Sequence, residues 1–456
     1  MRPTRRDFLR MAAASGVAAR TTTRLRAQDA SASQTVAAND RIQLATIGCG
    51  IQGIGDTRTA IRVPGVEVVA VADVYEGRLT RAKEEWGDHL FTTRDYREVL
   101  ARPDVDAVII ATPDHWHAQM ATNAMKAGKD VYVEKPMVQD LDEGPRLIAV
   151  ERETKRIVEV GSQRVSSLVY AKARELFRAG SIGELNLVEA WINRNSAIGA
   201  WQYSIPPDAS PQTIDWDRFI GNAPKRPFEP IRLFRWRNYR DYGTGIPGDL
   251  FVHLFTGIHF VLDSIGPTRV MASGALSYWK DGRDVPDLMV AMYDYPKTAS
   301  HPAFRLVLKV NFAEGGGENQ AFRFVGGDGV LTIGGGAVTL SRRLRAKEPG
   351  HTADTFAKAM EEAYLAEYRA KFPEQQELRQ ATEEVFQAPQ GYRGDSYEHF
   401  RVFFDAVRSR KPVVEDATFG LRAGGPAVLA NHSYWENRPI GWDPERMKRT
   451  SVRTND

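Results

Sequence analysis

The chain has 456 residues, 42% apolar and 26% charged, a size and balance that fit roughly two to three soluble domains and exclude a composition-driven disordered chain. Its formal charge of +3 is misleading, because residues 1–27 carry seven Arg against one Asp and the rest of the chain is left at about −3, which gives no electrostatic basis for binding nucleic acid. No run of roughly 18 apolar residues exists to span a membrane, and the single cysteine, Cys49, excludes an intramolecular disulfide and any multi-cysteine metal site.

The first segment reads as an address. Thr4-Arg5-Arg6-Asp7-Phe8-Leu9-Arg10 precedes a short, weakly apolar run over residues 11–19. A basic region followed by such a run is the pattern of a signal peptide, and the paired arginines resemble the twin-arginine export signal. The expectation is a signal over 1–27 and a periplasmic or otherwise exported product, with no other membrane association. Residues 28–40 are small and polar and read as a linker or arm.

Ordered structure is expected from Arg41. Residues 42–47 form an apolar strand candidate, followed by Gly48-Cys49-Gly50-Ile51-Gln52-Gly53 and helical sequence. Residues 66–72 read as a second strand ending at Asp73, 77–86 as a helix, 106–112 as a third strand, and 118–127 as a helix. Residues 131–133 and 157–160 are the fourth and fifth strands. Strands alternating with helices predict a doubly wound parallel sheet, an α/β Rossmann domain over 41–163.

Beyond residue 161 the pattern changes. A helix over 171–179 leads to a strand over 185–192, and residues 201–242, rich in Trp, Tyr, Arg and Pro, read as a long ordered loop. Strand-like runs punctuated by Gly and Pro over 268–340 predict an antiparallel sheet, so an α+β domain over 164–445. A helical insertion is expected at about 345–390, an amphipathic helix over 397–408, and a tail over 446–456.

The glycine motif follows a strand, opens a helix, and is followed by Asp73 twenty residues after Gly53. This is the dinucleotide-binding fingerprint. Gly48 permits the tight turn, Gly50 lets backbone approach a pyrophosphate, and Gly53 lets the helix pack on the sheet. The helix N-terminus then favours the phosphate charge. Asp73 is placed to accept hydrogen bonds from ribose hydroxyls and to disfavour a 2′-phosphate, so NAD is expected over NADP, with Arg78 close by. Cys49 reads as a small packing residue.

Ala111-Thr112-Pro113-Asp114-His115-Trp116-His117 and Val131-Tyr132-Val133-Glu134-Lys135-Pro136 resemble the glucose–fructose oxidoreductase/inositol dehydrogenase/MocA family. The Glu-Lys-Pro tripeptide is its most specific mark. Gly183, the Asp249-x-x-x-His253 pair and Pro439-Ile440-Gly441-Trp442 fit the same pattern, so the resemblance covers roughly 41–445. It implies an open-faced antiparallel sheet that often serves as oligomer interface, hence a homodimer or homotetramer. It also implies oxidation or reduction of sugar and polyol hydroxyls with NAD or NADP.

Hydride transfer needs a base, a donor for developing oxyanion charge, and a group to orient the base. Lys135 supplies a cation at a strand's carboxyl end, where α/β proteins bind ligands; the resemblance implies that its bond to Pro136 is cis. Asp249 and His253, four apart, would share a helix face. They fit a carboxylate orienting an imidazole or a helix-surface ion pair; the resemblance implies that His253 is the acid/base and Asp249 its partner or a substrate ligand. It further places Thr112, Pro113, His117, Glu134 and Lys135 along the cofactor with Ile51 and Gln52 of the loop, and Gln163, Arg164 and Asn193 towards substrate. Arg235 and Trp236 suit a sugar through stacking and hydroxyl contacts, or anchor the long loop. His259 departs from the family pattern and reads as a core histidine. No metal site is expected.

Three functions follow as expectations. One is a sugar, glycoside or polyol oxidoreductase that retains NAD through each cycle, since an exported enzyme is not expected to meet a free nicotinamide pool. Another is redox-neutral glycoside cleavage through transient oxidation and elimination. The last is a non-catalytic NAD- or sugar-binding protein, against which Lys135, Asp249 and His253 together argue.

Overall fold

The computed structural model describes residues 41–342, 352–372 and 382–452. The expected signal and linker, 1–40, lie outside the described residues, as do parts of the insertion and the last four positions. From Arg41 the chain winds β1 (Ile42–Ile47), α1 (Ile51–Ala60), β2 (Val66–Ala72), α2 (Glu76–Trp86), β3 (Phe91–Thr93), α3 (Tyr96–Leu100), β4 (Ala107–Ile110), α4 (Asp114–Lys126), β5 (Asp130–Val133), α5 (Glu143–Thr154) and β6 (Val158–Val160). The strands make one parallel sheet in the order β3-β2-β1-β4-β5-β6. Strands β4, β5 and β6 are buried at every position, as a sheet covered on both faces requires. The order reverses at β1, so the carboxyl ends of β1 and β4 flank the crevice where such sheets bind ligands.

The second sheet begins after α6 (Leu168–Arg178) with β7 (Leu185–Asn193). The segment expected as a long loop carries two short helices, α7 (Trp216–Ile220) and α8 (Pro230–Phe234). A π-helical turn, Pro247–Phe251, then runs into α9 (Val252–Leu262). Strands β8 (Arg269–Ala275), β9 (Leu288–Tyr295), β10 (Phe304–Asn311), β11 (Asn319–Gly326), β12 (Gly329–Gly334) and β13 (Ala337–Arg342) follow. The exposed helix α10 (Lys358–Lys371) lies within the expected insertion, before β14 (Thr382–Gln387). The chain closes with α11 (Asp395–Ser409), α12 (Ala417–Glu436), β15 (Ile440–Asp443) and β16 (Lys448–Thr450).

This sheet is mixed, not wholly antiparallel. Its order is β14-β13-β12-β11-β7-β10-β9-β8-β15-β16, and β7 runs parallel to β10. The long excursion between them allows that pairing, which a tight hairpin could not make. Burial alternates along β8, β9 and β10. Tyr293, Leu306, Leu308 and Phe322 are buried in one core with Phe255 of α9 and Leu429 of α12, while Met271 and Met292 on the opposite face are each 52% exposed.

The helix α11 is distant in sequence from the first sheet yet packs on it. Phe400 stacks on Tyr132 of β5 at 4.3 Å, and Phe403 and Phe404 join the core under β1 and β4. The apolar spacing of α11 gave the helix; only the fold shows that its partner is the Rossmann sheet.

Candidate active site

The glycine loop is built by close approach. Gly48 has φ +87°, and a Cβ there would sit 2.7 Å from the Ala111 carbonyl oxygen. A Cβ on Gly53 would run into the Gly48 carbonyl, and one on Gly50 would meet the Arg78 guanidinium at 3.3 Å. No side chain caps α1, so its first N–H groups remain available to an anion. Asp73 holds the loop from below: Cys49 N donates to Oδ2 at 2.7 Å, Tyr75 N to Oδ1 at 2.9 Å, and Arg78 Nη1 lies 3.3 Å from Oδ2. Cys49 is buried, and burial followed by the Asp73 charge pushes its thiol up to about 12, which suits packing rather than nucleophilic chemistry.

A cleft of about 1190 Å³ runs from this loop past Thr112 and Pro113 to Trp236 and Arg237. It is as large as or larger than common small-ligand sites, roughly 300–1,000 Å³. The Thr112 hydroxyl is buried with no hydrogen-bond partner among the described residues. The cleft, the uncapped helix, the glycine cradle and that unpartnered hydroxyl together fit a dinucleotide. Gly48, Gly50, Ile51, Gln52, Asp73, Thr112 and Pro113 line the cleft directly, while Gly53 acts through packing.

Arg237 at the other end leads to a charged cluster behind it, whose Lys135 and Asp249 do not line the cleft. The Lys135–Pro136 bond is cis. Lys135 Nζ donates to Asp249 Oδ1 and to the Asp249 carbonyl, each at 2.9 Å. Arg237 Nε donates to the same Oδ1 at 3.0 Å, and its guanidinium lies 4.3 Å over the Trp236 ring. Burial opposes ionisation of Asp249, but the charges of Lys135 and then Arg237 outweigh it and hold the carboxyl well below the usual range. Burial would lower the Arg237 guanidinium, and the Asp249 charge instead raises it.

His253 is half-buried beside this pair. Burial, then the charges of Lys135 and Arg164, keep its imidazole far below the ordinary histidine range, so the ring is neutral. Its Nδ1 has no partner among the described residues. The expected Asp249–His253 hydrogen bond is therefore replaced by Asp249–Lys135 and Asp249–Arg237. The physical reason is the π-helical turn at Pro247–Phe251, which breaks the i,i+4 stacking that a regular helix would give.

Buried carboxyls surround the strand ends. Gln52 Nε2 bridges Asp56 Oδ1 at 2.9 Å and Glu134 Oε1 at 3.4 Å. Burial raises both carboxyls, and their proximity raises Asp56 further. Asp114 Oδ2 accepts from Thr244 N at 2.9 Å and Oγ1 at 2.7 Å, and burial pushes that carboxyl up to about 7.

Other expected residues fall elsewhere. His117 ties two loops together, with Nδ1 2.7 Å from the Pro136 carbonyl and Nε2 2.8 Å from the Thr112 carbonyl. Burial lowers it to about 4, against the two carbonyls, which favour the protonated ring, and the ring supports the strand ends from behind. Arg235 anchors the long loop through the Tyr203 carbonyl at 2.8 Å and does not line the cleft; Arg237, two residues on, reaches Asp249 instead. Gln163 bonds the Gly161 carbonyl at 2.6 Å, Arg164 lies 3.9 Å from Asp395, and Asn193 bonds Asn319 at 3.1 Å. His259 meets the Tyr295 hydroxyl at 2.8 Å inside the second core. The run of alternating aromatic and basic residues over 234–239 is the signal that could have found Arg237, but only its position separates it from Arg235.

The class is thus a two-part protein, a dinucleotide-type Rossmann sheet joined to a large mixed sheet, with a Lys–Asp–Arg cluster at the strand ends. Residues 42–162 match the model of the GFO_IDH_MocA family, an oxidoreductase family with an NAD-binding Rossmann fold. The match is confined to the Rossmann domain. It is 34% identical over 157 residues to inositol 2-dehydrogenase 1 of Saccharopolyspora erythraea, covering 34% of this chain and 46% of that protein. It is 32% identical over 158 residues to glycosyl hydrolase family 109 protein 2 of a Shewanella species, covering 32% of this chain and 34% of that protein. The chain thus matches less than half the length of these curated relatives. The structure of levoglucosan dehydrogenase with NADH and levoglucosan superposes with TM-score 0.63 at 15% identity, over 88% of this chain and 99% of that one, a likeness of fold.

Proposed function

We propose that this protein is an NAD-dependent oxidoreductase acting on a hydroxyl or carbonyl of a sugar, glycoside or polyol, with its cofactor tightly retained. The observation that carries this is the meeting of Lys135, Asp249, Arg237 and His253 at the strand ends, beside a cleft headed by the glycine loop. The nicotinamide, when bound, supplies or accepts the hydride. Gly48, Gly50 and the first turn of α1 hold the pyrophosphate, and Asp73 accepts from ribose hydroxyls. Lys135, fixed on Asp249, donates to the substrate oxygen and steadies its developing charge. Neutral His253, with a free ring nitrogen, takes the hydroxyl proton. Asp249 orients both cations rather than the imidazole.

The same residues support a second reading, redox-neutral glycoside cleavage, favoured by the similarity to the family 109 glycosyl hydrolase. The test is to purify the mature protein without added nucleotide, denature it, identify what is released, and assay polyols, sugar pairs and aryl glycosides. Near-stoichiometric NAD with net NADH formation supports the first reading. Sugar release without net NADH supports the second. An empty protein that binds NAD weakly overturns retention.

Export by the twin-arginine route is part of this proposal. Replacing Arg5 and Arg6 with Lys should trap the protein in the cytoplasm. The exposed Met271 and Met292 on the open sheet face support a homodimer or homotetramer. Light scattering on Met271→Asp/Met292→Asp should then report a smaller species.

A further inference from the structure

The segment over 201–242 lines the cleft with Tyr203, Asp215, Phe219 and Trp236, and it is built as a small unit of its own. Ile214, Phe219, Leu233, Phe234, Tyr239 and Tyr242 are buried in one cluster, distinct from the cores of the two sheets. Among the described residues, only Val74 and Tyr75 enter that cluster from the first domain. The base of the segment is clamped, because Arg235 Nε donates to the Tyr203 carbonyl at 2.8 Å and brings its two ends together. A loop with joined ends and its own core can open as a unit while the sheets stay packed.

Two latches hold this unit at the strand ends of the first sheet. After β2, the Glu76 N–H donates to the Thr213 carbonyl and the Asp215 N–H to the Val74 carbonyl, each at 2.9 Å, which makes an isolated antiparallel bridge between Tyr75 and Ile214. The Tyr75 hydroxyl donates to Asp208 Oδ1 at 2.5 Å, and the Tyr75 ring meets Phe234 edge-on at 5.3 Å. At the start of α4, Trp116 Nε1 donates to the Phe219 carbonyl at 2.9 Å. Gly221 makes that approach possible: its φ is +55°, and a Cβ there would run into the Trp116 ring. Asp73 and Arg78 flank the first latch in sequence, and Thr112 and Pro113 lead into the second. All four line the cleft, as do Trp116 and Gly221.

We propose that the segment over 203–235 is a strap that closes over the adenosine half of the dinucleotide, and that its opening at the Tyr75 and Trp116 latches sets the rate at which cofactor enters and leaves. The inference rests on the dinucleotide site read above. A cofactor under a latched strap leaves only when the strap lifts, and it enters only then as well. A weaker latch destabilises the closed strap equally with and without cofactor, so it speeds release and entry together and leaves the affinity nearly constant. Tyr75 does not line the cleft and acts only through the strap.

The test loads the full chain with NADH, chases it with excess NAD, and follows NADH fluorescence for the release rate, with stopped-flow mixing for the entry rate. Tyr75→Phe removes one hydrogen bond to a carboxylate and should raise both rates about tenfold with Kd nearly unchanged. Gly221→Ala forces the strap away from Trp116 and should raise them further. Trypsin cleavage after Lys225, exposed on the strap, should slow when NADH is bound to the wild type, a reading that stands if Gly221→Ala does not fold. Unchanged release from well-folded Tyr75→Phe overturns the strap alone. So does faster release with an unchanged entry rate and an equally weakened Kd, or wild-type cleavage that NADH does not slow. A wild type that fails to bind NADH overturns the strap together with the dinucleotide site.

Discussion

The two ends of the cleft are built on different principles. At the glycine loop, recognition rests on backbone: positive φ at Gly48, close approach at Gly53 and an uncapped helix end, all within a dozen residues. At the strand ends it rests on side-chain charges drawn from two distant stretches, Lys135 and the pair Arg237 and Asp249. Local geometry can hold an anion without burying a charge. Positioning a proton donor at a reacting carbon needs cations locked against a carboxylate in a dry site. The first end should therefore govern cofactor affinity and the second should govern turnover.

Lys135→Met tests that division most sharply. It should lower kcat/KM by about a thousandfold while NAD affinity, read by fluorescence titration, stays near wild type. Equal losses in both would erase the distinction. Gly48→Ala is the mirror experiment. Left-handed backbone costs an ordinary residue about 1–2 kcal/mol, and the new Cβ meets the Ala111 backbone. NAD affinity should fall on the order of tenfold or more, and saturating NAD should restore much of kcat.

Glu415→Gln should act on stability. A carboxyl raised when folded makes the native state bind more protons than the unfolded one, so stability falls as pH rises from the ordinary carboxylate range to about 8. The variant should lose that slope and gain on the order of 2 kcal/mol relative to wild type between pH 6 and 8, measured by denaturant unfolding across pH. An unchanged slope would mean that Glu415 is not protonated near neutrality.

Arg237→Gln should cost about tenfold in kcat. Asp249, left with one cation, loses part of what depresses it. Its stabilising contribution is complete above the unfolded carboxylate range and disappears as pH falls through its folded value. The variant should therefore lose activity and structure at a higher pH on the acid side. The smallest effect is expected from Asp73→Ser, which should relax the preference for NAD over NADP by several-fold because Arg78 remains beside the ribose position. No change in the ratio would remove Asp73 from cofactor choice.

Much of this was written locally. The strands over residues 42–47 and 66–72, the glycine turn and Asp73 stand in the structure where periodicity and spacing put them, because each depends on neighbours along the chain. Lys135 could be read as a strand-end cation for the same reason. Arg235 and Arg237 could not be told apart from composition, and the four-residue spacing of Asp249 and His253 suggested a bond that the π-helical turn does not make. The parallel pairing of β7 with β10, the return of α11 to the first sheet, and the bond from Ser162 to Glu415 all join residues far apart in sequence. The sequence by itself determined the elements, the fingerprint and the chemistry on offer, because dihedral preference and hydrophobic period are local. Tertiary structure decided which carboxylate meets which cation, and which acids are buried, because burial and charge pairing are properties of the packed chain.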